Sequence, residues 1–125
     1  MMSIFGRILK EISPGRIFYT PVMKKPFKIK AVKPNMLVFF VGKKTSINIP
    51  RECWGGIPNF LENKGWVKIG SIHDKAQIGT FEEYLDRYWS KGKTHASGGS
   101  YVVPVLEYLD IVKVDNRRPS KIRLK

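Results

Sequence analysis

Apolar residues at positions 4, 5, 8, 9 and 12 recur at spacings of one, three and four, the stripe of a short amphipathic helix. Ser3 stands where an N-cap belongs, and "SPG" at residues 13–15 supplies a stop. From Arg16 the period shortens to two. The runs "RIFYT", "FKIKAV", "MLVFFVG" and "TSINIP" read as strands, separated by the turn-forming "PVMKKP", "KPN" and "GKK", and an antiparallel meander is the simplest way to join them. In "FKIKAV" the alternation places Phe27, Ile29 and Ala31 on one face and Lys28 and Lys30 on the other. "MLVFFV" is apolar on both faces and is expected at the centre of the sheet.

The middle of the chain, "IPRECWGGIPNFLENKGWVKIG", predicts two short helical pieces, with Gly55-Gly56 breaking the first and Gly65 ending the second, followed by a strand in "WVKIGSI". Trp54, Phe60, Leu61 and Trp66 are expected in the core. "GTFEEYLDRYWSKG" carries a capping box, Thr80 with Glu83, and a buried face of Phe81, Tyr84, Leu85 and Tyr88, with Glu83 positioned to pair with Arg87. The polar, glycine-rich "SKGKTHASGGS" predicts a mobile loop. Val102, Val105, Leu106 and Leu109 then form a helical stripe whose regular part is expected from Pro104, and "IVKVD", "DNRRPS" and "KIRLK" complete a hairpin.

These elements make an α+β chain of 125 residues, short enough for one compact domain. Residues 1–15 supply the amphipathic helix, 16–79 the β-rich part with its short helices, and 80–125 a helix, loop, helix and hairpin. No apolar run approaches the roughly 18 to 20 residues that cross a bilayer. The single cysteine, Cys53, cannot close a disulfide within the chain, so a soluble, cytoplasmic protein is expected, with Cys53 a small buried apolar residue.

Charge changes the picture most. The net charge is +13, and it is uneven: residues 1–51 hold 11 Lys/Arg against one Glu, residues 52–90 hold 4 against 6, and residues 91–125 hold 8 against 3. Two basic ends flank a near-neutral middle, which points to a polyanionic partner. Lys24, Lys25, Lys28, Lys30 and Lys33 crowd one edge of the meander, with Lys43 and Lys44 in its last turn; Lys91, Lys93 and His95 lie in the loop; Arg117, Arg118, Lys121 and Arg123 follow in the hairpin. Edge lysines also guard a sheet against edge-to-edge pairing, a purely structural use.

The order from residue 80 onward, together with the texture of "YVVPVLEYLDIVKV", resembles the second half of a winged helix-turn-helix. That resemblance implies a DNA-binding role in which "DNRRPS" is the wing tip and its arginines hold phosphates or enter a minor groove. The helix itself offers little beyond Ser100, Tyr101, Glu107 and Tyr108 for reading bases, so contact with the phosphate backbone is expected, with DNA ahead of RNA. A second reading is an RNA or ribonucleoprotein component, with Tyr19, Phe27 or Tyr101 stacking on unpaired bases. A third is an adaptor that dimerises through its N-terminal helix.

Enzymatic signatures are missing from the sequence. There is no phosphate-binding glycine loop, neither His73 nor His95 has a metal-ligand partner at the usual spacing, and no nucleophile has an evident base. No catalytic residue, metal or cofactor is expected. The scattered carboxylates Glu62, Asp74, Glu82 and Glu83 leave a metal-dependent nuclease as the one enzymatic alternative.

Overall fold

A computed structural model describes residues 3–21, 23–41, 45–70, 79–86, 88, 99–117 and 120–125. The meander forms as its alternation requires. Strands β1 (Ile17–Tyr19), β2 (Pro26–Lys33), β3 (Met36–Val41) and β4 (Thr45–Pro50) pair in sequence order, all antiparallel, and β3 lies inside the sheet as its two-sided apolar character demands. Phe18, Phe27, Ile29, Leu37, Phe39, Ile47 and Ile49 are buried on the inner face. One register detail departs from simple alternation. A bulge between Ile29 and Ala31 places Ile29 opposite Phe39 but Ala31 opposite Val38, so Ala31 leaves the inner face on which its spacing from Phe27 put it.

Helix α1 (Ile4–Glu11) begins at Ser3, whose hydroxyl accepts the Gly6 N–H at 3.0 Å, and buries Ile4, Phe5 and Ile8 against α2 (Arg51–Leu61) and β2. Leu9, expected on the same stripe, is 43% exposed. The apolar face proposed for a dimer is therefore largely spent within the chain.

Helix α2 is one continuous helix, not two pieces; Gly55 and Gly56 lie inside it and Pro58 in its last half. Gly56 serves packing, whereas a Cβ on Gly55 would meet nothing within 4 Å. A Cβ on Gly56 would stand 2.5 Å from the Tyr84 hydroxyl, which itself donates 2.5 Å to the Cys53 carbonyl. Cys53, Trp54, Ile57 and Leu61 are buried, whereas Trp66, expected in the core, is 44% exposed.

Helix α3 (Phe81–Asp86) is capped by Thr80, whose hydroxyl the Glu83 N–H reaches at 3.3 Å, while the Glu83 carboxylate reaches back one residue beyond the cap to the Gly79 N–H at 3.0 Å. Helix α4 (Gly99–Tyr108) begins five residues before Pro104, which lies within it. Its first N–H, from Gly99, donates to the buried Glu82 carboxylate at 2.7 Å. Arg87 and residues 89–98 lie outside the described residues, as does the Glu83–Arg87 pair.

A second sheet closes the chain. Strands β5 (Val67–Lys68), β6 (Val112–Asp115) and β7 (Lys121–Leu124) pair antiparallel in the order β5, β7, β6. Helix α4 packs on β1 of the first sheet and on β6 of the second, while α2 packs against β7. One continuous apolar cluster runs from α1 through both sheets. Among the described residues no helix is long and apolar enough to cross a membrane.

Candidate nucleic-acid interface

The outer face of the first sheet is built by cross-strand rows. Ile17, Lys28, Phe40 and Ser46 stand side by side across the four strands, with Ala31, Val38 and Asn48 in a neighbouring row and Lys33, Met36 and Pro50 at the end. Lys28, Lys30 and Lys33 are exposed. Lys30, at the bulge, reaches over the Phe40 ring at 5.4 Å and donates to the Ser46 hydroxyl at 3.2 Å. Residues 12–51 contain no Asp or Glu at all, so no carboxylate from this segment neutralises the face.

Between β1 and β2 a tight turn presents two more cations. The Thr20 N–H donates to the Lys25 carbonyl at 2.9 Å, and the Thr20 hydroxyl takes the Lys25 N–H at 2.9 Å. Lys24 is held at φ 55°, a left-handed conformation that suits glycine and costs a lysine on the order of 1 kcal/mol. Both lysines are exposed. Two arginines of the same acid-free segment are already engaged: Arg16 lies 4.0 Å over Tyr108, and Arg51 packs 5.3 Å over Phe5 while donating to the Pro34 carbonyl.

The second sheet turns Val67, Val112, Val114, Ile122 and Leu124 inward by alternation, which leaves Lys68, Lys113, Asp115, Lys121 and Arg123 on the other side. Register then decides the electrostatics. Lys68 is directly opposite Lys121, and Lys113 directly opposite Arg123. Like charges opposed across a strand pair destabilise a sheet, by roughly 0.2–1 kcal/mol for each pair. Among the described residues no carboxylate forms an ion pair with Lys68, Lys113 or Arg123.

Among the described residues the one acid on this face, Asp115, stands opposite Lys121 and is engaged by the turn. Asp115 accepts the Arg117 backbone N–H at 3.0 Å and holds the guanidinium through Nε at 3.1 Å and Nη2 at 2.9 Å. Those hydrogen bonds to the Arg117 side chain and backbone hold the carboxyl down at about 2 and raise the guanidinium in turn. The Arg117 side chain is nevertheless 90% exposed. At the far end of the hairpin Lys125 forms an ion pair with Asp110.

Of the cations expected to bind, the fold gathers Lys24, Lys25, Lys28, Lys30 and Lys33 on the first sheet and its turn, and Arg117, Lys121 and Arg123 on the second. Lys43, Lys44, Lys91, Lys93 and Arg118 lie outside the described residues, as do His73, His95 and Asp74. Lys68 and Lys113 join the second face although charge clustering along the chain did not single them out. The alternation in "VKI" and "VKV" marks strands there, in runs too short to show which face the lysines take.

Other candidates turn out to be structural. Phe27 is buried, with its ring 5.6 Å from Phe39 and 5.1 Å from Tyr101, so it cannot stack on a base. Tyr101 packs against the same rings, and burial followed by the nearby Glu82 raises its hydroxyl above the ordinary tyrosine value. Burial pushes the Cys53 thiol up to about 12, which removes it as a nucleophile. Glu83 caps α3, Glu82 holds the start of α4, and the exposed Glu62 ends α2. No group of three metal-ligating side chains occurs among the described residues. No protein-family model, no curated protein and no solved structure matches this chain.

Proposed function

We propose that the protein binds nucleic acid, contacting mainly the phosphate backbone, and that it does so by binding alone rather than by catalysing a reaction. The observation that carries this reading is the outer face of the second sheet, where Lys68 opposes Lys121 and Lys113 opposes Arg123, and where among the described residues the one carboxylate is Asp115, opposite Lys121 and tied to Arg117. Such an arrangement weakens the sheet and strengthens its hold on a polyanion, since each phosphate neutralised releases a counterion.

The chain order α2, β5, α3, α4, β6, β7, with β5 hydrogen-bonded to β7, is similar to that of a winged helix-turn-helix and extends the likeness upstream of residue 80. Helix α4 stands where a recognition helix would, yet Gly99, Val102 to Leu106 and Leu109 are all buried. A helix enclosed by two sheets has no face to lay in a major groove. The hairpin and its sheet therefore supply the contacts, and binding is tolerant of base sequence.

The test is a salt titration of binding to a random-sequence DNA duplex, comparing the native chain with the triple variant Lys68→Ala, Lys113→Ala and Arg123→Ala. The slope of log K against log salt should flatten by about 0.9 for each phosphate contact removed. An unchanged slope with unchanged affinity would show that this face does not meet the polymer.

A further inference from the structure

We infer that the outer face of the first sheet is a stacking platform for single-stranded nucleic acid, with Tyr19 as the stacking ring and Lys28 and Lys30 as its phosphate contacts. The inference rests on the nucleic-acid reading above and adds the strandedness of the ligand. Its starting point is a concentration of exposed apolar side chains in one short segment: Ile17 is 52%, Tyr19 58% and Met23 66% exposed, all on or just after the edge strand β1. Exposed apolar groups clustered at one place mark a binding surface more than scattered ones do.

The chemistry around them narrows the occupant. Ile17 stands beside Lys28, which stands beside Phe40, so apolar and cationic groups alternate across the face. Ser46 and Asn48 follow on β4 and offer hydrogen-bonding groups of both kinds. With no Asp or Glu anywhere in residues 12–51, the surface complements a ligand that is anionic along its length. Flat apolar groups joined by an anionic backbone describe a polynucleotide with unpaired bases. A duplex hides its base faces and has no use for an exposed tyrosine ring, whereas base stacking on aromatic side chains together with a basic track is how single strands are held without sequence preference.

The experiment is fluorescence anisotropy with about 15-nucleotide oligothymidine and oligouridine, set against a duplex of equal length. Tyr19→Ala should weaken binding of both single strands by roughly 5- to 100-fold, with the duplex affinity and the salt slope unchanged. Tyr19→Phe should retain the native affinity, because the ring and not the hydroxyl stacks, and this also shows that the fold survives at the position. Lys28→Ala with Lys30→Ala should flatten the salt slope for single strands. If Tyr19→Ala binds single strands as tightly as the native chain, the platform is overturned while backbone binding by the second sheet stands. Displacement of the strand by polyglutamate at equal charge concentration would overturn it as well, since charge alone would then suffice. Failure of every polynucleotide to bind would remove the underlying reading together with the platform.

Discussion

The two sheets carry their lysines and arginines in different company. On the first, Lys28 and Lys30 are interleaved with Ile17, Phe40 and the nearby Tyr19, and Lys30 is itself drawn over an aromatic ring. On the second, cation faces cation at two positions across the strands, and Asp115, the one acid there among the described residues, stands opposite Lys121 and is tied to Arg117. Both sheets turn their apolar faces to the same helices, so their outer faces are left to solvent rather than to the core. The contrast teaches that one excess of positive charge can be put to two uses. On the reading proposed above, opposed cations suit phosphates, whereas cations set beside the exposed Tyr19 ring also suit bases.

The largest expected effect breaks both faces at once. Phe39 is fully buried on the inner side of β3 and packs against Phe27, Trp54 and Tyr101, so it joins the first sheet to α2 and α4. Phe39→Ala should cost about 3–5 kcal/mol in chemical denaturation. Binding by both faces should fall in step with the folded fraction, and a smaller loss would mean that the helices hold the two sheets without this contact.

A smaller change should separate stability from binding. Lys113→Glu places an acid opposite Arg123 and should raise the denaturation midpoint by the equivalent of roughly 0.2–1 kcal/mol while weakening binding to duplex DNA. Opposite signs from one substitution would be the signature of a face whose charge serves a ligand at the expense of the fold.

The smallest effect concerns the hairpin turn. The Asp115 carboxyl is held at about 2, below its ordinary 3.8, because Arg117 hydrogen-bonds its charged form. Its contribution to stability is therefore present above the ordinary value and lost as pH falls through the lowered one. Any stability difference between the native chain and Asp115→Asn should shrink between about pH 4 and pH 2, as acid denaturation curves would record. At neutral pH the same variant frees Arg117 and removes the one acid on the face, so duplex binding should tighten and its salt slope steepen by about one phosphate contact.

Much of this architecture was legible in the chain. The meander, with β3 inside it, followed from alternation and from the turn residues between strands, and α1 followed from its stripe and its serine cap. Paired glycines usually interrupt a helix and so predict two pieces where α2 is one; Gly56 instead makes room for the hydroxyl of Tyr84, a residue distant in sequence. Local grounds put the regular start of α4 at Pro104, but burial between two sheets and the hold of Glu82 on Gly99 extend it toward the N-terminus. The apolar neighbours of Trp66 point to the core, although only tertiary packing decides which of them are enclosed. The site was legible in its charge and less so in its members. Lys68 and Lys113 sit in strands of two and four residues, too short for alternation to show what they face.

By itself the sequence determined which segments are strands, which ends carry the positive charge, and that the segment from residue 12 to residue 51 holds no acid to offset it. These are properties of nearest neighbours and of composition. Tertiary structure alone decided that Lys68 meets Lys121, that Lys113 meets Arg123, and that α4 is enclosed instead of offered to a groove. Register and burial arise from pairing and packing between segments far apart in the chain, and no local pattern specifies which of them will meet.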